Sequence, residues 1–279
     1  MTDKYLPRVA AVHDMSGYGK CSLTVALPVL SACGVEVCPL CTSLLSANTL
    51  FPGFTFFDYT PYMQAHIDHW KRLGLKFDSV YSGFLGSTRQ IDFVKQLKSD
   101  FDSGLLVVDP VLGDNGKLIP IFDATLVAGM RDLVAVADCA TPNVTEACLL
   151  TDQTYHGDAL SREECEALCR QVLALGCKTI VLTGVLRDGL LINAGLDQQG
   201  YFERSIHELP YHQHGTGDLF TSTLLGALMR GYPLRQAVDS AAHFVYDCME
   251  YGRELPDVFD RGVAFEPLAY RLGTGVYVK

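Results

Sequence analysis

Short runs of apolar, often β-branched residues alternate with helical stretches along almost the whole chain, and this alternation restricts the fold more than any other feature. Residues 9–12, 35–40, 79–82, 105–109, 138–140 and 179–183 read as strands. Between them, residues 22–32, 62–73, 87–99, 125–133, 144–150 and 162–175 read as helices, and Met63, Ile67 and Trp70 show the helical spacing in the second. Parallel strands need a crossover long enough to hold a helix, and a strand apolar at every position, such as Leu105-Leu-Val-Val108, must be covered on both faces. The pattern predicts an α/β fold with a central, mostly parallel sheet and helices on both faces. Residues 190–193 and 200–203 add a β-hairpin. No linker, repeat or low-complexity segment divides the chain, so a single domain over residues 1–279 is expected. In such sheets ligands sit at the carboxyl ends of the strands.

Composition narrows the function. With 22 basic and 32 acidic residues the net charge is −10, which disfavours a nucleic-acid partner. No apolar run reaches the roughly 18 residues of a membrane span, and Met1-Thr-Asp-Lys-Tyr5 lacks the basic-then-apolar order of a signal peptide. A cytoplasmic protein with no membrane partner is expected. The 10 cysteines then read as reduced thiols. Cys38-Pro-Leu-Cys41 has zinc-like spacing without a second pair, and Cys165 and Cys169 lie one helical turn apart, facing inward. His66 and His69 lack a third ligand and read as exposed or packing residues. Residues 46–61 are the longest unassigned connection and read as a lid or contact surface.

Chemistry concentrates in three short motifs. In His214-Gly-Thr-Gly-Asp218, two glycines let the backbone bend so that N–H groups point outward at the start of an apolar helix, which is an anion site. Asp218 either caps that helix or accepts a proton from an alcohol held beside a phosphate. The helix dipole is expected to keep it ionised at neutral pH. Asp109-Pro-Val-Leu-Gly-Asp114 follows one strand and Thr141-Pro-Asn143, with Glu146, another, so carboxylates stand at strand ends. Asp114 and Glu146 suit magnesium, which prefers carboxylate oxygen; the alternative is solvated surface charge. Gly17-Tyr-Gly-Lys-Cys21 lacks the spacing and the hydroxyl of a Walker A loop. His207, His212 and His214 read as a polar connector.

With these motifs in this order, the sequence resembles the ribokinase-like superfamily and, within it, the pyridoxal (vitamin B6) kinases, from about residue 9 to 249. The resemblance implies an ATP-dependent kinase acting on the hydroxymethyl group of pyridoxal, pyridoxine or pyridoxamine, with ATP as co-substrate, Mg2+, a monovalent cation such as K+, and a homodimer. It implies Asp218 as the base, with Gly215, Thr216 and Gly217 holding the transferred phosphoryl group. Asp114, Asn143, Thr183 and Thr216 would approach the nucleotide, Asp114 and Glu146 the divalent ion, and Asp109 and Thr141 the monovalent one. Ser16, Asp14, Thr49 and Phe84 would contact the substrate. Two departures bear on substrate choice: Ser46-Ala-Asn-Thr49 lacks the usual central Asn-His pair, and Phe84 stands where better-known B6 kinases carry tyrosine. The alternatives are a hydroxymethylpyrimidine kinase, a sugar kinase with an added β-lid, and a non-catalytic pyridoxal-phosphate carrier. Intact Asp218 and Glu146 argue against the last.

Overall fold

The computed structural model describes residues 5–257 and 261–274, so both ends of the domain expected over 1–279 lie outside the described residues. The chain runs β1 (Arg8–Ser16), α1 (Leu23–Ala32), β2 (Glu36–Leu45), β3 (Phe56–Asp58), α2 (Thr60–Arg72), β4 (Ser79–Ser82), α3 (Thr88–Asp100) and β5 (Leu105–Val108). A small ribbon, β6 (Gly113–Asp114) and β7 (Lys117–Leu118), precedes α4 (Ala124–Val134), β8 (Cys139–Ala140), α5 (Val144–Thr151) and α6 (Arg162–Leu173). Then come β9 (Ile180–Arg187), β10 (Leu190–Asp197), β11 (Gly200–His207), α7 (Thr216–Met229) and α8 (Leu234–Gly252).

The strands form a nine-stranded sheet in the order β11-β10-β9-β8-β5-β4-β1-β2-β3. From β2 to β9 the neighbours are parallel; β3 at one edge, and β10 and β11 at the other, run antiparallel. Consecutive apolar residues in the central strands point to opposite faces, and both faces are covered. Val80, Leu106 and Val108 pack under α2 to α6, while Tyr81 and Val107 pack under α1, α7 and α8, all fully buried. The expected architecture is borne out.

Four elements depart from expectation. Residues 46–61, expected to be irregular, contain β3, an edge strand exposed at every position and so without the alternation that marks a half-buried strand. Helix α8 has no counterpart in the sequence pattern: Gly231 and Pro233 read as the stop of the helix after Asp218, yet Pro233 is also the N-cap of α8. β1 and β2 continue beyond their apolar runs to Ser16 and Leu45, because ladder pairing with the neighbouring strand, His13 against Cys41 and Ser16 against Leu45, holds polar residues in the strand. Cys38 and Cys41 are half-buried free thiols whose pKa values burial pushes up, which fits inert cysteines.

Candidate active site

The site is assembled at the carboxyl ends of the strands. Gly215, the N-cap of α7, has φ +79°, and a Cβ there would lie 2.5 Å from the Lys20 carbonyl oxygen, so both the turn and the packing require glycine. Asp218 in the first turn does not cap its own helix. Its Oδ2 instead accepts the Ser22 N–H at 2.8 Å, tying α7 to the loop before α1. Ser22 has φ +51° and ψ −127°, a strained conformation for a residue with a side chain, held at a functional site by its neighbours. Burial raises the Asp218 carboxyl to about 7, with Asp14 adding to the shift. This corrects the expectation of full ionisation: the helix dipole acts over one turn, but desolvation outweighs it here.

Asp14 and Ser16 lie beside this carboxylate on β1, with the Ser16 hydroxyl donating to Asp14 Oδ2 at 3.0 Å. Burial raises the Asp14 pKa as well. Ser16 lines a cavity of about 630 Å³ together with Lys20, Thr24, Tyr251 and Arg261. Thr49 is exposed and lines neither this cavity nor the one described below. Its neighbour Asn48 is the buried residue of that turn: its Nδ2 donates to Gly19 O at 3.1 Å and its Oδ1 accepts the Leu50 N–H at 3.1 Å. Phe84 stacks on Phe122 with ring centres 5.4 Å apart and also lines neither cavity.

A second cavity, of about 300 Å³, brings together Asp114, Thr141, Asn143, Thr183 and Thr216, five of the residues expected around the nucleotide and its ions, with Gly217, expected at the transferred phosphoryl group. Its far wall is built by Ala242, Val245, Tyr246 and Met249 of α8, the unassigned helix. Buried Asn193 on β10 also lines it; nothing in the sequence marked that residue. Asp109, buried beyond β5, lies near Gly217: a Cβ at Gly217 would be 3.8 Å from Asp109 Oδ2. Thr141 and Thr221 hydroxyls are 2.9 Å apart alongside it. Burial pushes Asp109 well above the carboxylate range, with Glu146 and Asp218 adding to the shift.

Glu146 is part of a capping box. Its Oε2 accepts the Asn143 N–H at 2.9 Å, Asn143 Oδ1 accepts the Glu146 N–H at 2.8 Å, and Oε1 takes the Leu112 N–H at 3.1 Å. Asn143 Nδ2 donates to Gly113 O at 2.9 Å. Glu146 thus fixes the loop that carries Asp114, and burial raises its pKa to about 8. Asp114 is exposed, with Asn115 as its partner through both oxygens. Among the described residues no lysine or arginine forms an ion pair with Asp14, Asp109, Asp114, Glu146 or Asp218, and no cluster of three or more metal-ligating side chains occurs.

A parallel-sheet α/β scaffold with a glycine-started helix end, a carboxylate in its first turn and a cavity beside it is the arrangement of a kinase of the ribokinase-like kind. The phosphomethylpyrimidine kinase family model matches residues 27–259, and the chain belongs to that family. A pyridoxal kinase of Arabidopsis thaliana is 32% identical over 231 residues, covering 77% of this chain and 71% of the relative. The solved pyridoxal kinase of Lactobacillus plantarum superposes with a TM-score of 0.89 at 33% identity, covering 96% of this chain and 97% of that one. A Bacteroides thetaiotaomicron protein provisionally assigned as a phosphomethylpyrimidine kinase, crystallised with pyridoxal, superposes with a TM-score of 0.90 at 39% identity, covering 96% of each chain. The resemblance drawn from the three motifs is borne out.

Proposed function

We propose that the protein phosphorylates the hydroxymethyl group of a B6 vitamer (pyridoxal, pyridoxine or pyridoxamine) from ATP. The observation that carries this reading is the α7 N-terminus, where a helix end opened by Gly215 meets a carboxylate that does not cap its own helix and is raised to about 7. The nucleotide lies in the cavity of Asn143, Thr183 and Thr216, and the vitamer lies toward Asp14 and Ser16. The hydroxyl oxygen attacks the γ-phosphorus as the bond to the bridging oxygen of ADP breaks, and its proton passes to Asp218. Amides of Gly215, Thr216 and Gly217 stabilise the charge on the moving phosphoryl group.

The donor set fits a magnesium ion that arrives with the phosphates, since Mg2+ keeps most of its waters and needs one or two carboxylates. Asp114 would hold it, and Glu146, with both oxygens engaged by backbone N–H groups, acts mainly by fixing the Asp114 loop. When bound, the ion would offset charge on the phosphates. Asp109 and Thr141 would serve a monovalent cation, whose charge would favour the ionised form of a carboxyl that burial otherwise keeps neutral. A homodimer belongs to the same proposal by resemblance, and a cytoplasmic location stays the expectation drawn from composition; among the described residues no helix is long and apolar enough to cross a membrane.

The second reading is hydroxymethylpyrimidine phosphorylation, favoured by the family match and by the displaced Thr49 and the missing hydroxyl at Phe84. ADP release measured with pyridoxal, pyridoxine, pyridoxamine, hydroxymethylpyrimidine and ribose separates the two. Turnover of a B6 vitamer well above the pyrimidine is the expected result; the reverse preference overturns the B6 assignment and leaves the kinase.

A further inference from the structure

His13 is fully buried on β1, where a bulge between His13 and Met15 shifts the register against β2. Its Nδ1 points at Asp218 Oδ1 from 4.0 Å, longer than a hydrogen bond. Neither ring nitrogen has a hydrogen-bond partner, and buried polar groups rarely stay that way. The ring is wedged in place: Tyr81 stands edge-on with centroids 4.3 Å apart, and a Cβ at Gly83 would fall 2.3 Å from Nδ1. The missing side chain at Gly83 is what admits the imidazole. Asp218 is meanwhile held by one oxygen only, Oδ2 on the Ser22 N–H, which leaves Oδ1 as the oxygen able to turn.

We propose that His13 is the positioning residue of this site: its Nδ1–H donates to Asp218 Oδ1 once substrates close the pocket, aiming a lone pair of the carboxylate at the reacting hydroxyl. The inference rests on Asp218 being the base. Catalytic hydrogen bonds are often long in the unliganded enzyme and tighten in the complex, so a contraction of about 1 Å is in keeping with the geometry. Burial lowers the His13 pKa to about 3, so the imidazole is neutral and acts as a fixed donor rather than a second base. Beyond His13, the titratable groups coupled to this carboxylate are Asp14 on β1, Cys21 before α1, Tyr81 on β4 and Asp109 after β5.

The test compares kcat and KM across pH for the wild type, His13→Leu, His13→Asn and Asp218→Asn, with ATP and the vitamer turned over fastest. His13→Leu should lower kcat roughly 10–100-fold, the worth of one hydrogen bond to a charged group, with vitamer KM changed less than about threefold. The acid limb of its profile should move to higher pH, because Asp218 loses a donor that favours its ionised form. His13→Asn places an amide N–H where Nδ1 stood and should recover most of the rate. Should the Leu variant not fold, His13→Gln, whose amide reaches the Nε2 position, serves as the misplaced-donor control and should stay slow. A folded Leu or Gln variant within twofold of wild type, or an Asn variant no faster than either, overturns the role of His13. Near wild-type turnover in Asp218→Asn overturns the base instead, so the two failures are distinct.

Discussion

The two ends of the central sheet treat carboxylates in opposite ways. At the amino ends of the strands, Asp138 Oδ2 accepts the Leu106 N–H at 2.8 Å and Lys98 Nζ at 2.9 Å, while Oδ1 takes Lys178 Nζ at 2.7 Å. Burial pushes this carboxyl up, but the two lysines outweigh burial and hold it below the ordinary range. Arg8 and Glu36 pair at 2.9 Å on the same edge. At the carboxyl ends, burial raises Asp218 to about 7 and Glu146 to about 8, and no lysine or arginine among the described residues compensates. A partly buried carboxylate whose pKa fixed cations hold down stabilises the fold at pH values above that pKa. Buried carboxylates without a fixed cation stay partly protonated, destabilise their ionised forms, and suit ligands that bring positive charge or release a proton. One end is built for stability and the other for chemistry.

The strongest way to break this comparison is Asp218→Asn, which keeps the shape and can still accept the Ser22 N–H. Turnover should fall roughly 10²–10⁴-fold, about 3–5 kcal/mol in barrier by the tenfold rule, with vitamer KM little altered. In the wild type, kcat/KM should drop as pH falls below about 7, where the free enzyme's Asp218 gains its proton. Steady-state kinetics decides both points, and a near-normal rate would return Asp218 to a structural role.

Asp138→Ala should do the reverse. Removing it orphans the Leu106 N–H and takes one partner from each of two lysines, of which Lys98 keeps the Ser103 and Gly104 carbonyls and Lys178 is largely solvated, costing about 1–3 kcal/mol of stability by urea denaturation, with kcat unchanged. Because its folded pKa is depressed, the wild type's extra stability is present above the ordinary carboxylate range and lost as pH falls through the lowered value. A kinetic defect in a stable Ala variant would refute the division of labour.

The sign should invert for Asp218. A folded pKa raised from 3.8 to about 7 gives stability that is present at low pH and lost as pH rises through 7. Asp218→Asn suffers no such loss, so it should match the wild type near pH 4 and exceed it at pH 8 by up to about 4 kcal/mol, the worth of a rise from 3.8 to about 7. Equal denaturation midpoints at both pH values would contradict the raised pKa.

The smallest effect sharpens the role of Glu146. In Glu146→Gln one oxygen can still accept a backbone N–H, but the amide nitrogen cannot accept the second, so Asn143 or Leu112 is left unpaired. A loss of about 1 kcal/mol and a few-fold rise in the Mg2+ needed for half activity are expected from a loosened Asp114 loop. An unchanged magnesium titration would remove Glu146 from the nucleotide end.

Much of the site was legible because its residues are local in sequence. Gly215-Thr-Gly-Asp218 puts two glycines, a helix start and a carboxylate within four positions, whereas Asn143 and Glu146, read as nucleotide and ion contacts, also cap their own helix. Thr49 was less legible: whether it or Asn48 turns inward depends on how that turn meets Gly19. His13 and Ser22 carried no signal, since a histidine at a strand end and a serine before a helix are ordinary until α7 is packed against them. Helix α8 was hidden behind a proline that ends one element and begins another.

The sequence alone determined the parallel α/β architecture and the ordered motifs that mark the family, because strand and helix periodicities and glycine-dependent turns are set by neighbours within a few residues. Only the tertiary structure decided the protonation of those carboxyls and the residues that aim them. Desolvation depends on everything packed around a group, and Asp218 is surrounded by β1, the loop before α1 and the neighbourhood of β4 and β5, elements that meet only when the sheet closes.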